Sequence, residues 1–157
     1  MQKISPCLWF EGSAEEAVNY YVATFKSARI KETMRHTKSS PGAEGTPLAF
    51  LFELEGQDFM AINGGSEFKF TPALSMFIRC DSQEEIDHYW DRLMDGGASM
   101  ACGWLTDRFG VTWQIAPREL TSMLQDPDPV KADRTMKSMM GMIKLDMREL
   151  ERVYNGE

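Results

Sequence analysis

The sequence predicts an α+β fold made of two strand-helix-strand units, followed by C-terminal helices. The main observation is an internal repeat, in which residues 13–21 resemble residues 82–90 at a constant offset of 69 positions. A short apolar stretch precedes each copy. A second repeat closes each half, where residues 56–62 resemble residues 110–116. Two copies of one supersecondary unit indicate a pseudo-symmetric duplication within one fold.

The repeat also predicts how the chain is organised. A length of 157 residues suits one domain with a sizeable core. We expect a single domain over residues 1–157. Within it, the first unit covers about 1–65, the second about 73–117 and a helical tail about 118–157.

The first unit is predicted as a strand, a helix and three further strands. Residues 3–10 form a short aromatic-rich strand. Ser13 with Glu16 has the spacing of a capping box, and the apolar period that follows predicts a helix over 14–26. The residues between 39 and 47 are typical of a flexible loop. The remaining predicted strands cover residues 28–37, 48–54 and 59–62.

The second unit repeats this plan. A strand over 74–80 precedes a helix that runs from about 83 to 94 and stops at the glycines that follow. Residues 99–105 and 111–116 are expected to pair around a tight turn. Asp107 stands at the start of that turn, and its residue type favours a turn-making role.

The tail is predicted to be helical. Asp128 with Pro129 indicates the start of one helix, and Asp146 the start of a shorter last one. An apolar stripe on the first of these helices is expected to be covered by the sheet or by a partner subunit. Its members are Val130, Met136, Met139, Met140 and Ile143.

Composition narrows the classes of function. The chain is 43% hydrophobic and 26% charged, as in globular proteins, and its net charge is −7. This charge argues against nucleic-acid partners and anionic membranes and favours neutral or cationic small molecules. Three cysteines without paired spacing predict no disulfide framework. We find neither a secretory signal nor an apolar run long enough for a membrane span, so a cytoplasmic protein is expected.

Several segments resemble a known superfamily. The helix motif at 15–21 and the turn and strand at 107–114 resemble those of the vicinal oxygen chelate superfamily, which includes glyoxalase I, extradiol dioxygenases and the fosfomycin and bleomycin resistance proteins. Residues 4–10, 52–57, 61–65, 102–107 and 113–117 are similar to its PhnB-like branch, often labelled demethylubiquinone methyltransferase-like. The resemblance covers the whole chain and implies two βαβββ units of the glyoxalase/bleomycin-resistance type.

The resemblance also implies where a metal would be held. Metal-using relatives carry ligands near the start of the first strand and in the last strand of each unit. Aligning the helix motifs places Pro6 and Ser75 at the first positions, and aligning the glycine turns places Met60 and Gln114 at the second. These side chains do not supply the imidazole or carboxylate donors that such metals need. His36 and His88 are expected in a loop and on the surface. We therefore predict no superfamily metal centre and no cofactor.

The remaining site candidates are polar groups among aromatic residues. Gln114 stands where a metal-binding acid would be and can orient a polar ligand by hydrogen bonds. If Trp113 and Ile115 face the helices, then Thr112, Gln114 and Ala116 face the other side of the strand. An alternative is that Gln114 is a structural amide bonded to nearby backbone. The ligand-binding candidates are Gln114, Trp104, Phe52, Met60 and Asn63.

Three hypotheses of function remain open. The first is a metal-independent small-molecule-binding or sequestering protein like the bleomycin resistance type. The resemblance also implies a homodimer, because relatives usually complete their pocket between two units, within a chain or across a swapped pair. The second is an enzyme, a lyase, isomerase or transferase, with a metal bound in a non-standard way. The third is an assembly protein that acts through its C-terminal helices. The methyltransferase label has no support, because no glycine-rich loop leads from a strand into a helix.

Overall fold

The first unit of the computed structural model is a four-stranded sheet with one helix. The structure describes residues 2–157. Within it the chain divides into a first unit that ends at Phe70 and a second that covers Thr71–Glu157. The elements of the first unit are β1 (Cys7–Glu11), α1 (Ala14–Thr24), β2 (Ala28–Arg35), β3 (Pro47–Leu54) and β4 (Gln57–Gly64). The strand order is β1-β4-β3-β2, with β1 parallel to β4 and the other pairs antiparallel.

The second unit repeats this topology and adds the tail. Its elements are β5 (Ser75–Cys80), α2 (Gln83–Met94), β6 (Ala98–Ser99), β7 (Trp104–Thr106), β8 (Thr112–Pro117), α3 (Leu120–Leu124), α4 (Pro129–Met140) and α5 (Met147–Asn155). The strand order is β5-β8-β7-β6, with β5 parallel to β8. The predicted α+β class with two βαβββ units is confirmed.

Apolar residues between each sheet and its helix form the core of each unit. In the first unit, Tyr21 of α1 stacks on Phe52 of β3, with ring centroids 6.4 Å apart. In the second unit, Ile86 and Leu93 of α2 are fully buried, as is Ile115 of β8. The amphipathic helices are therefore the elements that fix which face of each sheet is buried.

The second unit differs from the prediction at two places. The strand expected over 99–105 is interrupted after Ser99 by a turn, in which Cys102 has a φ of 62° and Gly103 a φ of 79°. These left-handed conformations cannot continue a strand. The short helix α3 was not predicted, and its Leu120 and Met123 are buried in the tail core.

The starts of α2, α4 and α5 agree with local sequence patterns. Ser82 accepts a hydrogen bond from the backbone N–H of Glu85, and Asp146 accepts one from Glu149. Asp128 accepts one from Val130, with a proline in the first turn. The predicted N-caps at Asp128 and Asp146 are confirmed.

The start of α1 follows a different rule. Ser13 makes no side-chain capping hydrogen bond, so the predicted capping box is wrong. The backbone N–H of Ala14 instead donates to Oδ1 of Asn63 at 2.9 Å, and Nδ2 of Asn63 donates to the carbonyl of Pro47 at 3.1 Å. The end of β4 therefore supplies the cap of α1.

The tail packs on the second unit around a small apolar core. Its members are Ala116, Leu120, Met123, Leu145 and Leu150. Gln83 at the start of α2 fixes the tail, because its Nε2 donates to the carbonyl of Leu145 and its Oε1 accepts from the N–H of Met147.

The part of the chain that the structure describes leaves most of the expected apolar stripe on the tail exposed. Met139 packs against the tail core, whereas the other four members are exposed. The main contacts of α4 are with α5 and α3. None of the helices described is long and apolar enough to cross a membrane.

Candidate functional site

The second sheet has a buried face toward α2 and an opposite face that carries Gln114. Buried Trp113 and Ile115 alternate with Gln114 along β8, and Leu105 pairs with Trp113. In-register neighbours point to the same side of a sheet. We call the opposite side the Gln114 face. By register it consists of Ser75, Phe77, Arg79, Ala98, Trp104, Thr106, Thr112, Gln114 and Ala116.

A hydrogen bond between two strands orients the Gln114 amide. Nε2 of Gln114 donates to Oγ of Ser75 in β5 at 2.7 Å. Gln114 is half-buried, and within residues 2–157 its Oε1 accepts no hydrogen bond. The alternative of an amide bonded to nearby backbone therefore does not describe it. The amide is held at one end and keeps an acceptor for another group.

Thr112 lies beside this pair with an unsatisfied hydroxyl. Its residue is 1% exposed, and Oγ1 has no hydrogen-bond partner within the described chain. Thr112 pairs in register with Ser75 on one side and Thr106 on the other. A buried hydroxyl without a partner costs about 1–3 kcal/mol, and this one is covered by the chain and has no surface for a ligand.

Two aromatic side chains flank Gln114. Trp104 of β7 and Phe77 of β5 are its register neighbours, about 4.8 Å away on each adjacent strand. Trp104 is half-buried and Phe77 is 39% exposed. The guanidinium carbon of Arg79 lies 5.0 Å from the centre of the Phe77 ring. The polar groups are thus bordered by flat apolar surfaces.

The corresponding face of the first unit carries Met60. Met60 is half-buried and pairs with Cys7 of β1 and Leu51 of β3. Its position in β4 matches that of Gln114 in β8, as the glycine-turn alignment predicted. A thioether stands here in place of the amide.

The first strands of the two units align one residue away from the predicted register. Cys7 pairs with Met60 and Phe77 pairs with Gln114, so these strands match at an offset of 70 and not 69. The extra residue in the first unit lies in the turn with Gly12, whose φ is 76°. Ser75 therefore corresponds to Ser5 and not to Pro6.

Two candidates of the first unit have structural surroundings. Phe52 is fully buried and stacks on Tyr21 and Phe59, in the core beneath α1. This differs from the expected position on the wall of a ligand site, because the ring has no surface left for a ligand. Both ends of the Asn63 amide are used, one to cap α1 and one to hold β3.

The donor set does not fit the metal that the superfamily resemblance implies. The corrected positions hold Ser5, Met60, Ser75 and Gln114, which offer two hydroxyls, a thioether and an amide. Zinc, manganese and iron sites in proteins are built from imidazole, carboxylate or thiolate ligands. Within residues 2–157, no group of three such side chains lies close enough to hold a metal ion. His36 contacts Ser40 in its loop, and His88 packs on Tyr89.

Asp107 has the predicted turn-making role and a second one. Its Oδ1 accepts the backbone N–H groups of Phe109 and Val111, which closes the turn before β8. Its Oδ2 accepts the indole N–H of Trp113 at 2.8 Å. The residue is only 4% exposed. Asp107 therefore holds Trp113 on the α2 side of β8, and alternation along the strand places Gln114 on the opposite side.

Sequence reasoning missed Ser75 as a partner of Gln114 and gave no role to Thr112 or Arg79. Alternation placed Thr112 on the correct side of β8. The pairing of β8 with β5 is what brings Ser75, Phe77 and Arg79 beside it, and no local sequence signal encodes that register.

Comparison with known proteins identifies relatives over most of the chain. The sequence model of the 3-demethylubiquinone-9 3-methyltransferase family matches residues 2–116. A solved putative 3-demethylubiquinone-9 3-methyltransferase, the PhnB protein from Bacillus cereus, is 40% identical with a TM-score of 0.67. The match covers 73% of this chain and 98% of that protein. No functionally curated protein matches the chain.

Two more distant structures share the fold. Protein PA1353 from Pseudomonas aeruginosa is 20% identical with a TM-score of 0.62, and the match covers 74% of this chain and 98% of that one. A variant of the fosfomycin resistance protein FosX from Listeria monocytogenes, complexed with Mn(II) and 1S,2S-dihydroxypropylphosphonic acid, is 15% identical with a TM-score of 0.52. That match covers 74% of this chain and 93% of FosX.

Proposed function

The chain belongs to the 3-demethylubiquinone-9 3-methyltransferase family, in the PhnB-like branch of the vicinal oxygen chelate superfamily, and we propose that it binds a small polar molecule on the Gln114 face. The observation that carries this proposal is the half-buried Gln114 amide, which Ser75 holds at one end and whose Oε1 keeps a free acceptor at the other. A bound molecule that donates to Oε1 gains a hydrogen bond to an amide that is already oriented.

The remaining polar atoms favour a ligand with both a donor and an acceptor. Oε1 of Gln114 can accept a hydrogen bond, while Oγ of Ser75, which accepts from Nε2 of Gln114, keeps its O–H to donate one. Trp104 and Phe77 border these atoms, so a planar or apolar body is suited to lie against them. Enclosure of Gln114 in a cavity stays a prediction, as does a contribution of Met60 or Asn63 to binding.

We propose binding without the metal of the superfamily. Support comes from the donor chemistry of Ser5, Met60, Ser75 and Gln114, which is unsuited to zinc, manganese or iron. Methyl transfer is not part of the proposal. The described chain forms two mixed four-stranded sheets, whereas the usual adenosylmethionine site needs an alternating parallel sheet with a glycine-rich loop.

Titration of ¹⁵N-labelled protein with benzamide tests the binding site. Benzamide offers an amide and a flat ring, and we expect saturable chemical-shift changes at the Gln114 side-chain NH₂ and the Trp104 indole N–H. Gln114→Ala, followed at the Trp104 indole N–H, should weaken binding several-fold, because it removes one hydrogen bond of about 1 kcal/mol. Thr106→Val, on the same face, is the matched control, since the Thr106 hydroxyl already contacts the Ala98 carbonyl.

A wider set of probes defines the result that would contradict the proposed binding site. The set is benzamide, benzoate, phenylphosphonate and benzylamine, each titrated to tens of millimolar. If none of the four produces a saturable change on the Gln114 face, the proposed binding site is wrong.

We further propose a homodimer formed through the tail. Val130, Met136, Met140 and Ile143 are 40–64% exposed, and a second copy can cover them with the same apolar residues. Sedimentation at micromolar concentration should give twice the 17.9 kDa of one chain, and Met140→Glu should shift it to the monomer. A monomeric wild-type protein would exclude the dimer.

Three free cysteines agree with the proposed cytoplasmic location.

A further inference from the structure

The charge on the Gln114 face differs in sign from that of the chain. The whole protein has 24 acidic and 17 basic residues and a net charge of −7. The face itself contains Arg79 and no aspartate or glutamate. A ligand on this face therefore meets a local positive charge, although the net charge alone favours a neutral or cationic ligand.

Arg79 has no acidic partner among residues 2–157. Arg29, Arg108, Arg118 and Arg152 each form an ion pair with a nearby carboxylate. For Arg79, no carboxylate of the described chain lies within salt-bridge distance, and its contact is the Phe77 ring. The residue is exposed, so its N–H groups remain available to a group outside the chain.

The Phe77 ring holds the guanidinium next to the candidate site. A guanidinium placed over an aromatic ring is attracted by the negative face of the ring, and its N–H edges stay free for hydrogen bonds. Phe77 is the register neighbour of Gln114, and Ser75 precedes it on the same face. Arg79 thus lies over Phe77, which is beside Gln114 and on the same face of β5 as Ser75.

From this arrangement we infer that the ligand of the Gln114 face carries an oxyanion, a carboxylate or a phosphonate, which pairs with Arg79. The inference rests on the proposed binding function and specifies its ligand class. The planar fork of a guanidinium matches the two oxygens of either group. The neutral amide and hydroxyls of Gln114, Ser75 and Thr112 contribute no negative charge that would repel such a ligand.

The same four probes test this inference, since they share a benzene ring and differ in the attached group. Benzoate and phenylphosphonate should bind more tightly than benzamide, and benzylamine should bind weakest. Which of the two anions binds better distinguishes a carboxylate ligand from a phosphonate ligand. Raising the NaCl concentration should weaken the anions and leave benzamide nearly unchanged.

Variants identify the cation. Arg79→Gln should weaken both anions by about tenfold, the effect of one charge-assisted hydrogen bond, and change benzamide affinity little. Arg79→Lys should restore part of the loss, because a lysine keeps the charge without the fork. Lys137→Gln removes the same charge from α4, outside the sheet, and should have no effect.

Different results would contradict the oxyanion inference and the proposed binding function. If benzylamine binds as well as benzoate, or if Arg79→Gln leaves anion binding unchanged, the oxyanion inference is wrong while binding on the Gln114 face stands. If no probe binds, the proposed function itself fails.

Discussion

The buried Asp107 carboxylate accepts the indole N–H of Trp113 at 2.8 Å, six residues away across the turn that leads into β8. The other carboxylate oxygen accepts two backbone N–H groups of the same turn. One side chain therefore closes the turn and fixes the direction of the first large residue of the strand. Because side chains alternate along a strand, this contact also determines that Gln114 faces away from α2.

Replacing Asp107 should destabilise the second unit. In Asp107→Asn one carboxylate oxygen becomes an NH₂ group, which cannot accept a hydrogen bond. At least one buried N–H donor then loses its acceptor, which should cost about 2–4 kcal/mol. The urea midpoint and the near-ultraviolet circular dichroism of the tryptophans measure this. Trp113→Phe removes the indole donor, so the same Asn substitution should cost less in that background. Equal costs in both backgrounds would show that the indole contact contributes nothing.

The cap of α1 gives a second prediction. Asn63→Ala should lower the free energy of unfolding by about 1 kcal/mol, because the N–H of Ala14 loses its acceptor. Ser13→Ala should have almost no effect, since Ser13 makes no capping hydrogen bond. Ser82→Ala, which removes a true local cap from α2, is the positive control. A larger loss for Ser13→Ala than for Asn63→Ala would restore the local capping box.

These caps show how much of the fold the sequence could predict. Asp128 and Asp146 cap helices with their own side chains, so a window of a few residues was sufficient to find them. Asn63 caps α1 from 49 residues away, a contact that no local pattern can encode. The two βαβββ units could also be predicted, because periodicity and glycine turns are local signals.

Only part of the candidate site could be predicted, because the rest of it comes together through strand pairing, which is not a local signal. Alternation along β8 gave the side of Gln114 and Thr112. The neighbours Ser75, Phe77 and Arg79 depend on how β5 pairs with β8, and one extra residue at Gly12 was enough to shift the inferred match between the units by one position. Phe52 was misplaced because strand alternation does not say which side the helix covers.

An ion pair between the buried Asp58 and the exposed Lys31 in the first unit gives a pH prediction. Nζ of Lys31 lies 2.7 Å from Oδ1 of Asp58, and hydrogen bonds from Lys31 and the Gln2 backbone hold the pKa of that carboxyl below its ordinary value of 3.8. A carboxyl whose folded pKa is lowered stabilises the fold above its ordinary pKa, and this contribution is lost as the pH falls through the lowered value.

Asp58→Asn should therefore be less stable than the wild type at pH 7, with a difference that narrows as the pH falls below 3.8. Urea unfolding at several pH values between 7 and about 2 measures both free energies of unfolding. Lys31→Met removes the partner and should likewise reduce the acid dependence. A gap between wild type and Asp58→Asn that stays constant over this range would contradict the role given to the pair.

The hydroxyl of Thr112 gives the last prediction, which concerns the protein without ligand. Thr112→Val keeps the shape of the side chain and removes a buried group that has no partner, so it should raise the free energy of unfolding by about 1–3 kcal/mol. Thr135→Val is the matched control. Thr135 is equally buried, but its hydroxyl donates to the carbonyl of Lys131 at 2.9 Å, so this variant should be neutral or less stable. If Thr112→Val instead lowers the melting temperature, the hydroxyl already has a partner in solution, and the description of this group as unsatisfied is wrong.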